Sequence, residues 1–282
     1  MAGATERRRP NGGDELLPVP SKGRVHRDGR KVRLGDVDPT GRLRLDALAR
    51  YLQDISGDDS EESGVPDAHS WIVRRTVLEQ RAPARIHERL ELATFCSGYG
   101  SRWAERRVAL LGAGGASIDA ATVWVHVDPA TGRPRRLPPE FHEVYGVAAD
   151  GREVVARNDH EPVEPDGDGV ETFRWQPRTT DLDLIDHVNN AIAWAVVEQV
   201  CARLLVAAGG ARGGPADRLA APFRAEVEFR DAVERAAVDA GDPLLVAHRA
   251  DGDGLSLTLW SADGAAVHQT ARVQPLGEST RP

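Results

Sequence analysis

An acidic and a basic side chain lie close together in the second half of the chain, where Asp183 precedes His187 by four residues. Such a pair can take a proton from water and return one to a leaving group. An almost wholly apolar stretch follows, which predicts a helix over about 190–208 that is buried on nearly all sides. The unpaired N–H groups at the start of a buried helix attract negative charge. The pattern therefore predicts a titratable pair beside a helix N-terminus that can stabilise an anion.

The same pattern occurs earlier in the chain, at an offset of 145 residues. Asp38 corresponds to Asp183, and Leu43 corresponds to Val188. Leucine and isoleucine residues then recur at helical spacing, which predicts a first helix over about 43–57. Two copies of one unit at this separation indicate a tandem duplication and not a solenoid of short repeats.

Composition narrows the class of protein. The 282 residues carry a net charge of −8, which disfavours a nucleic-acid partner, and the hydrophobic content of 40% permits a sizeable core. Two cysteines, Cys96 and Cys201, fit a reducing compartment and provide no disulfide framework. We find no run of about 18 apolar residues, so no spanning helix is predicted. The Arg-rich start lacks the apolar segment of a secretory signal. We therefore expect a cytoplasmic protein without a membrane or nucleic-acid partner.

Strand patterns surround both predicted helices. Alternating apolar residues and turn signals predict one strand before each helix and four strands after it. A curved antiparallel sheet must then wrap each helix, and two such units can pair edge to edge into one continuous sheet, an α+β architecture. The expected boundaries are a disordered tail over 1–23, a first unit over 24–145, a linker over 146–169, a second unit over 170–275 and a tail over 276–282.

This architecture is a double hotdog, and from about residue 31 to 273 the sequence resembles the acyl-acyl carrier protein (acyl-ACP) thioesterases of plants and bacteria. The segment 181–190 reads D-L-D-L-I-D-H-V-N-N, close to that family's D-L-D-x-N-x-H-V-N-N. The segment 95–102 is a Gly-rich strand that leads to Arg102. The segment 121–138 holds A-T-V-W-V and, after a turn, R-R-L-P. The resemblance implies hydrolysis of fatty acyl thioesters of acyl carrier protein or coenzyme A.

The resemblance also implies roles for single residues. The family's acid and histidine fall on Asp183 and His187, whereas its intervening Asn falls on Ile185, which cannot form a hydrogen bond through its side chain. A further Glu and Cys of the family fall near Ala232 and Val233, whose side chains cannot do that chemistry. A register shift of one or two residues would place them towards Asp231 or Glu234.

The first copy offers a second acid. The segment 35–41 resembles the acid-bearing loop of single-hotdog aryl-CoA thioesterases, in which the catalytic Asp would be Asp38. Because Asp-Pro also favours turns, a turn-forming role for Asp38 stays open. A fused pseudo-dimer can hold a site in either unit, so the sequence leaves open which unit is active.

Attack by water is the simplest scheme for such a site. No Ser lies in a Gly-x-Ser-x-Gly elbow, and Cys201 is expected to pack in the core as a small hydrophobe. Water would be activated by the Asp or the His of the pair. Backbone N–H groups of Val188, Asn189 and Asn190 are candidates for the oxyanion hole, although Asn189 and Asn190 are also good N-cap residues.

Arginine-rich strands could contribute to carrier binding. Arg102 and its neighbours are either ordinary solvated strand residues or a docking patch for an acidic carrier protein or the phosphates of its pantetheine arm. We find no metal-ligand spacing, so we expect neither a metal nor a cofactor.

We therefore predict an acyl thioesterase whose acyl tail lies in an apolar slot beside one of the two helices, with the first helix favoured. One alternative is an enoyl-thioester hydratase, which is disfavoured because the acid and the His in the hydratases are five residues apart and here they are four. The other alternative is a non-catalytic acyl-binding hotdog, which Ile185 and the missing Glu favour. Acyl chain length, carrier preference and a homodimeric state stay open.

Overall fold

The computed structural model describes residues 16–66, 70–214 and 216–277. Within these ranges, ten antiparallel strands form a single sheet that curves around two long helices, so the predicted double hotdog is confirmed. The strands are β1 His26–Lys31, β2 Trp71–Ala82, β3 Arg89–Tyr99, β4 Trp103–Gly112, β5 Ser117–His126, β6 Glu171–Trp175, β7 Phe223–Phe229, β8 Leu244–Asp251, β9 Gly254–Trp260 and β10 Val267–Pro275. The helices are α1 Leu45–Glu62, α2 Pro139–Ala149, α3 Asn190–Ala207 and α4 Arg235–Ala240, with 3-10 turns at Leu34–Asp36 and Thr179–Asp181.

The two units meet at the centre of the sheet. The strand order is β1-β3-β4-β5-β2-β7-β10-β9-β8-β6, so five strands of the first unit lie beside five strands of the second. At the joint, β2 and β7 pair from Arg75 opposite Glu228 to Gln80 opposite Phe223. This pairing satisfies the inner edge of each unit, which would otherwise be an open strand edge.

Helix α3 forms the centre of the core. Val196, Val197 and Val200 have no exposed surface, because the sheet covers one side of the helix and α1 packs against another. The helix begins where the sequence predicts, since Ala191 N donates to the Asn189 carboxamide oxygen at 2.8 Å. Among the helices of the described residues, α3 alone has the length and composition of a membrane span, and 56% of that window is buried inside this fold.

The first helix is longer than predicted. It continues to Glu62, past the expected end near residue 57. The acidic stretch stays helical because the Asp59 carboxylate is buried and forms ion pairs with Arg24 and Arg106. The sequence did not reveal these partners, since both arginines are distant from Asp59 along the chain.

Connecting segments lie against the sheet. In the predicted N-terminal tail, Leu16 packs against Val77 and Ala121, and Arg107 Nη2 donates to Leu17 O at 2.8 Å. The prediction of disorder is therefore wrong for this described part of the tail. Residues 1–15 and 278–282 lie outside the described residues.

The predicted linker overlaps α2, which runs to Ala149. Beyond α2, the linker crosses the face of the second unit opposite the helices. There the Glu228 carboxylate accepts hydrogen bonds from Asp159 N at 2.6 Å and His160 N at 3.1 Å. Val163 N donates to Thr258 Oγ1 at 2.8 Å. The linker is thus held by hydrogen bonds that satisfy buried polar groups of the sheet.

Trp194→Ala tests the packing of the central helix. The Trp194 side chain is 2% exposed, so we expect the cavity to lower the free energy of unfolding by about 3–5 kcal/mol. Val206→Ala on the same helix is the control, because Val206 is 76% exposed and its loss should change the free energy by less than about 0.5 kcal/mol. Urea unfolding followed by circular dichroism measures both, and equal effects would contradict the described packing of α3.

Candidate active site

The loop before α3 holds Asp183 in a tight turn. Asp183 N donates to His187 O at 2.8 Å, and Asp183 Oδ1 accepts hydrogen bonds from Ile185 N at 3.0 Å and His187 N at 3.3 Å. The turn closes at Asp186, whose φ of 62° lies in the left-handed region that Asp and Asn tolerate. Oδ2 of Asp183 has no hydrogen-bond partner among the described residues, so it is available to a ligand or water.

A carboxylate that the sequence only hinted at lies beside the histidine. Glu234 Oε2 is 3.3 Å from His187 Nε2, and the two residues form an antiparallel backbone bridge. Val188 N donates to Val233 O at 2.9 Å, which fixes the same register. In the sequence, a register shift in the alignment with the family motif made Glu234 one candidate for this carboxylate. The backbone bridge shows that Glu234 reaches His187.

A cleft of about 480 Å³ opens in front of this loop. The structure brings five of the predicted site residues together along its wall: Asp183, His187, Val188, Asn189 and Asn190. Strand β2 and the end of β7 form other walls, which include Arg74 and Phe229. Arg102 is not part of this lining; it is exposed near the β3–β4 turn, where its carbonyl accepts a hydrogen bond from His126 N.

Asp38 lies in a buried ionic cluster and does not line the cleft. Arg42 Nε and Nη2 donate to Asp38 Oδ2 at 3.1 and 3.0 Å, and Arg42 Nη2 also donates to Glu198 Oε1 at 2.6 Å. Thr40 donates to Asp38 Oδ1 through its N–H and its hydroxyl. Burial raises the pKa of Asp38, but the Thr40 hydrogen bond and the Arg42 charge outweigh it and hold that pKa below its ordinary value. This carboxylate is occupied by internal donors.

The two acids nevertheless hold corresponding places in the two units. The 3-10 turns, the loops and the long helices repeat at the offset of 145 residues. Asp38 N donates to Arg42 O at 2.8 Å, as Asp183 N does to His187 O. The same offset relates Glu198 on α3 to Gln53 on α1. One copy of the loop is therefore sealed by Arg42 and Glu198, and the other opens into the cleft.

An apolar slot adjoins the cleft inside the first unit. It measures about 220 Å³ and lies between α1 and the sheet, where α2 contributes Phe141 and Tyr145. Three residues line both the slot and the cleft, namely Gln53, Trp71 and Trp124. The two cavities therefore adjoin at these residues.

The ion pair of Arg106 and Asp59 borders this slot. Arg106 lines the slot and stacks over the Tyr145 ring at 5.1 Å, and Tyr145 Oη donates to Asp59 Oδ2 at 3.0 Å. Burial lowers the pKa of Arg106, but the Asp59 charge more than compensates and raises it. Because Arg106 is committed to Asp59, it is not part of a surface docking patch.

One group of side chains could hold a metal ion within the part of the chain that the structure describes. It comprises His160, Glu226 and Glu228. Arg75 lies 3.6 Å from Glu226, and Arg230 lies 3.7 Å from Glu228, so arginines already supply positive charge to both carboxylates. The group does not line the cleft.

Comparison with known proteins agrees with this architecture. Residues 23–145 match the family model described as the acyl-ACP thioesterase N-terminal domain. This part of the chain is therefore similar to the N-terminal domain of the acyl-ACP thioesterases. The slot between α1 and the sheet lies within this matched domain, whereas Asp183 and His187 lie in the second unit.

Solved acyl-ACP thioesterase structures share the whole fold. A protein of Bacteroides thetaiotaomicron superposes with a TM-score of 0.63 at 15% identity, covering 89% of this chain and 97% of its own. The 12:0-ACP thioesterase of Umbellularia californica gives a TM-score of 0.63 at 17% identity, covering 89% of this chain and 96% of its own. An uncharacterised protein of Mycobacterium tuberculosis is 29% identical over 241 residues, which cover 84% of this chain and 88% of the relative.

The departures from the family motif are visible in the structure. Ile185 is 63% exposed and lines the cleft where the family motif has an Asn. Ala232 and Val233 also line the cleft, without a side chain that could act as the family's Glu or Cys. Glu234 is the carboxylate that lies beside His187, two residues after Ala232.

Arg42→Met tests the sealed copy of the loop. Removing the guanidinium leaves Asp38 and Glu198 buried without their shared cation, so we expect the free energy of unfolding to fall by about 3–5 kcal/mol. Arg157→Met is the control, because Arg157 pairs with Asp159 and both side chains are exposed, so its loss should cost less than about 1 kcal/mol. Guanidinium unfolding distinguishes the two, and a stable Arg42→Met variant would contradict the buried cluster.

Proposed function

We propose that this protein is a thioesterase that hydrolyses fatty acyl thioesters of acyl carrier protein or coenzyme A to the free acid and the thiol. The observation that supports this proposal most directly is the adjoining pair of cavities. A cleft of about 480 Å³ holds an acid and a histidine at a helix N-terminus, and an apolar slot of about 220 Å³ adjoins it.

The geometry supports attack by water. Oδ2 of Asp183 is the free oxygen of a carboxylate that backbone N–H groups orient, so it can accept the proton as water attacks the thioester carbon. The electron pair of the carbonyl moves to its oxygen and returns when the C–S bond breaks. His187, whose Nε2 lies 3.3 Å from Glu234, then gives a proton to the leaving thiolate. Water thus supplies the hydroxyl of the acid, and the thiol leaves protonated.

Burial disfavours both cysteines as nucleophiles. It raises the pKa of Cys96 to about 11 and that of Cys201 to about 12, so neither forms the reactive thiolate at neutral pH. Cys96 lines the slot and Cys201 packs in the core.

A negatively charged carrier of the acyl group is suited to the mouth of the cleft. Arg74 lines it, and this guanidinium forms no ion pair with the described residues, whereas Arg230 lies beside Glu228 and Arg235 pairs with Asp186. Arg74 can therefore meet a phosphate of coenzyme A or of a pantetheine arm. The cytoplasmic location inferred from composition and the homodimeric state remain predictions.

The non-catalytic alternative rests on one observation. Ile185 places an exposed apolar side chain where the related motif carries an amide. An exposed apolar side chain at this position suits a protein that binds acyl thioesters and releases no thiol. The assay below distinguishes the two functions.

Asp183→Asn tests the proposed base. Thiol release from a panel of acyl-ACP and acyl-CoA thioesters should fall by about 10²- to 10⁴-fold in kcat, because the amide cannot accept the proton. Asp186→Asn in the same turn should retain turnover, since its side chain is exposed and Asn also tolerates a positive φ. Unchanged turnover in Asp183→Asn would exclude this site, and tight binding without any turnover by the unmodified protein would favour the non-catalytic alternative.

Ala104→Leu tests the slot as the acyl site. Ala104 is buried and lines the slot, so a larger side chain should shift the preferred substrate toward shorter acyl chains. Ala109→Leu on the same strand is the control, because Ala109 does not line the slot. The kcat/KM values across a chain-length series measure the shift, and equal profiles for the two variants would contradict acyl binding there.

A further inference from the structure

The Glu198 carboxylate lies at the N-terminus of α1, in the half of the molecule whose loop, around Asp38, is sealed. Its Oε2 accepts a hydrogen bond from Leu45 N, the first residue of α1, at 2.9 Å. Its Oε1 accepts from Arg42 at 2.6 Å. The first N–H of α1, which has no partner within the helix, is therefore already satisfied by a carboxylate oxygen of the protein.

At the N-terminus of α3, in the half whose loop opens into the cleft, no carboxylate oxygen of the described residues takes this place. Asn190, the first residue of α3, corresponds to Leu45 at the offset of 145 residues, and Gln53 corresponds to Glu198. Within the described residues, neither Asn190 N–H nor the Gln53 carboxamide has a hydrogen-bond partner. Both residues line the same cleft. The neutral amide at position 53 leaves the N-terminus of α3 free for an external anion.

A further donor near Gln53 also lacks a partner. The buried indole N–H of Trp124 makes no hydrogen bond with the described residues, and Trp124 lines the cleft and the slot together with Gln53. Unpaired donors at one place favour a ligand oxygen there, since buried polar groups are normally satisfied.

We propose that the carbonyl oxygen of the thioester binds between Asn190 N–H and the Gln53 carboxamide, in the place that Glu198 Oε2 fills in the other half. Gln53 is then a catalytic residue that α1 of the first unit contributes to the site of the second. This inference rests on the proposed thioesterase function. It assigns to α1 the amide that Ile185 cannot provide from the loop.

The step that Gln53 assists is the attack by water. As the oxygen of water bonds to the carbonyl carbon and Asp183 takes its proton, the carbonyl π pair moves to the oxygen, which becomes an anion. Gln53 Nε2 and Asn190 N donate to that anion. The pair returns to carbon as the C–S bond breaks, and His187 protonates the thiolate. A carboxylate at position 53 would repel the same anion.

The test compares Gln53→Glu and Gln53→Met, which have side chains of similar length. We expect kcat to fall by about 10²- to 10³-fold in Gln53→Met, as for the loss of one oxyanion donor, and further in Gln53→Glu because of the added charge. The KM and the melting temperature should change little. The matched control is Glu198→Gln, which should lower the melting temperature and retain kcat below it.

Two non-hydrolysable coenzyme A analogues separate catalysis from positioning. A thioether analogue has no carbonyl, whereas a trifluoromethyl ketone analogue adds water to form a tetrahedral gem-diol, whose two oxygens resemble those of the intermediate of water attack. Both Gln53 variants should weaken binding of the ketone by the same factor as kcat and leave binding of the thioether nearly unchanged. Equal weakening of both analogues would indicate a structural role for Gln53 and overturn the proposal.

The outcomes also separate this proposal from the thioesterase function. Turnover by the unmodified protein together with full kcat in both Gln53 variants would overturn the role of Gln53 and leave the thioesterase function intact. Absence of turnover by the unmodified protein on every thioester would overturn both.

Discussion

The contact between α1 and α3 at the centre of the continuous sheet determines where each loop places its acid. Neither unit could cover its helix alone, because α3 is apolar on nearly all sides and needs both the sheet and the neighbouring helix to exclude water. The pairing of β2 with β7 holds the two units in register. As a result, Glu198 of the second unit reaches the loop and the helix N-terminus of the first, and Gln53 of the first unit lines the cleft in front of the second unit's loop. The duplication creates two similar places in one molecule, and their chemistry depends on the residues exchanged across this contact.

Charge distinguishes the two places. In the sealed half, Asp38, Arg42 and Glu198 satisfy one another, and Glu198 also accepts the helix N–H. Such a cluster stabilises the fold only while all members are present, since any one of them left alone is a buried charge. At the corresponding places around the second loop, His187 stands where the first has Arg42, and Gln53 stands where the first has Glu198. No carboxylate of the described residues accepts the N–H of Asn190 there, and a cleft lies in front of the loop. One unit thus holds a closed ionic cluster, while the loop of the other opens into the cleft.

In the proposed function, the first unit takes part through its interior. Its slot lies between α1 and the sheet, and the residues that border the slot, Gln53, Trp71 and Trp124, also border the cleft of the second unit. The ion pair of Arg106 with Asp59 borders that slot. A substrate with a reactive head and an apolar tail would then be shared by the two units, with the tail in the one and the head at the loop of the other.

Local patterns in the sequence determined the double hotdog, the 145-residue repeat and the meeting of Asp183, His187 and Asn190 at a helix N-terminus, because periodicity and spacing reflect interactions along one segment. Tertiary structure decided what depends on distant partners. Asp38 has the same local pattern as Asp183, and only Glu198, 160 residues away on α3, shows that its carboxylate is sealed. Glu234 reaches His187 through a bridge between segments that the sequence could align only to within two residues. Gln53 reads as one polar residue on an amphipathic helix, and its place at the cleft follows from the packing of one unit against the other.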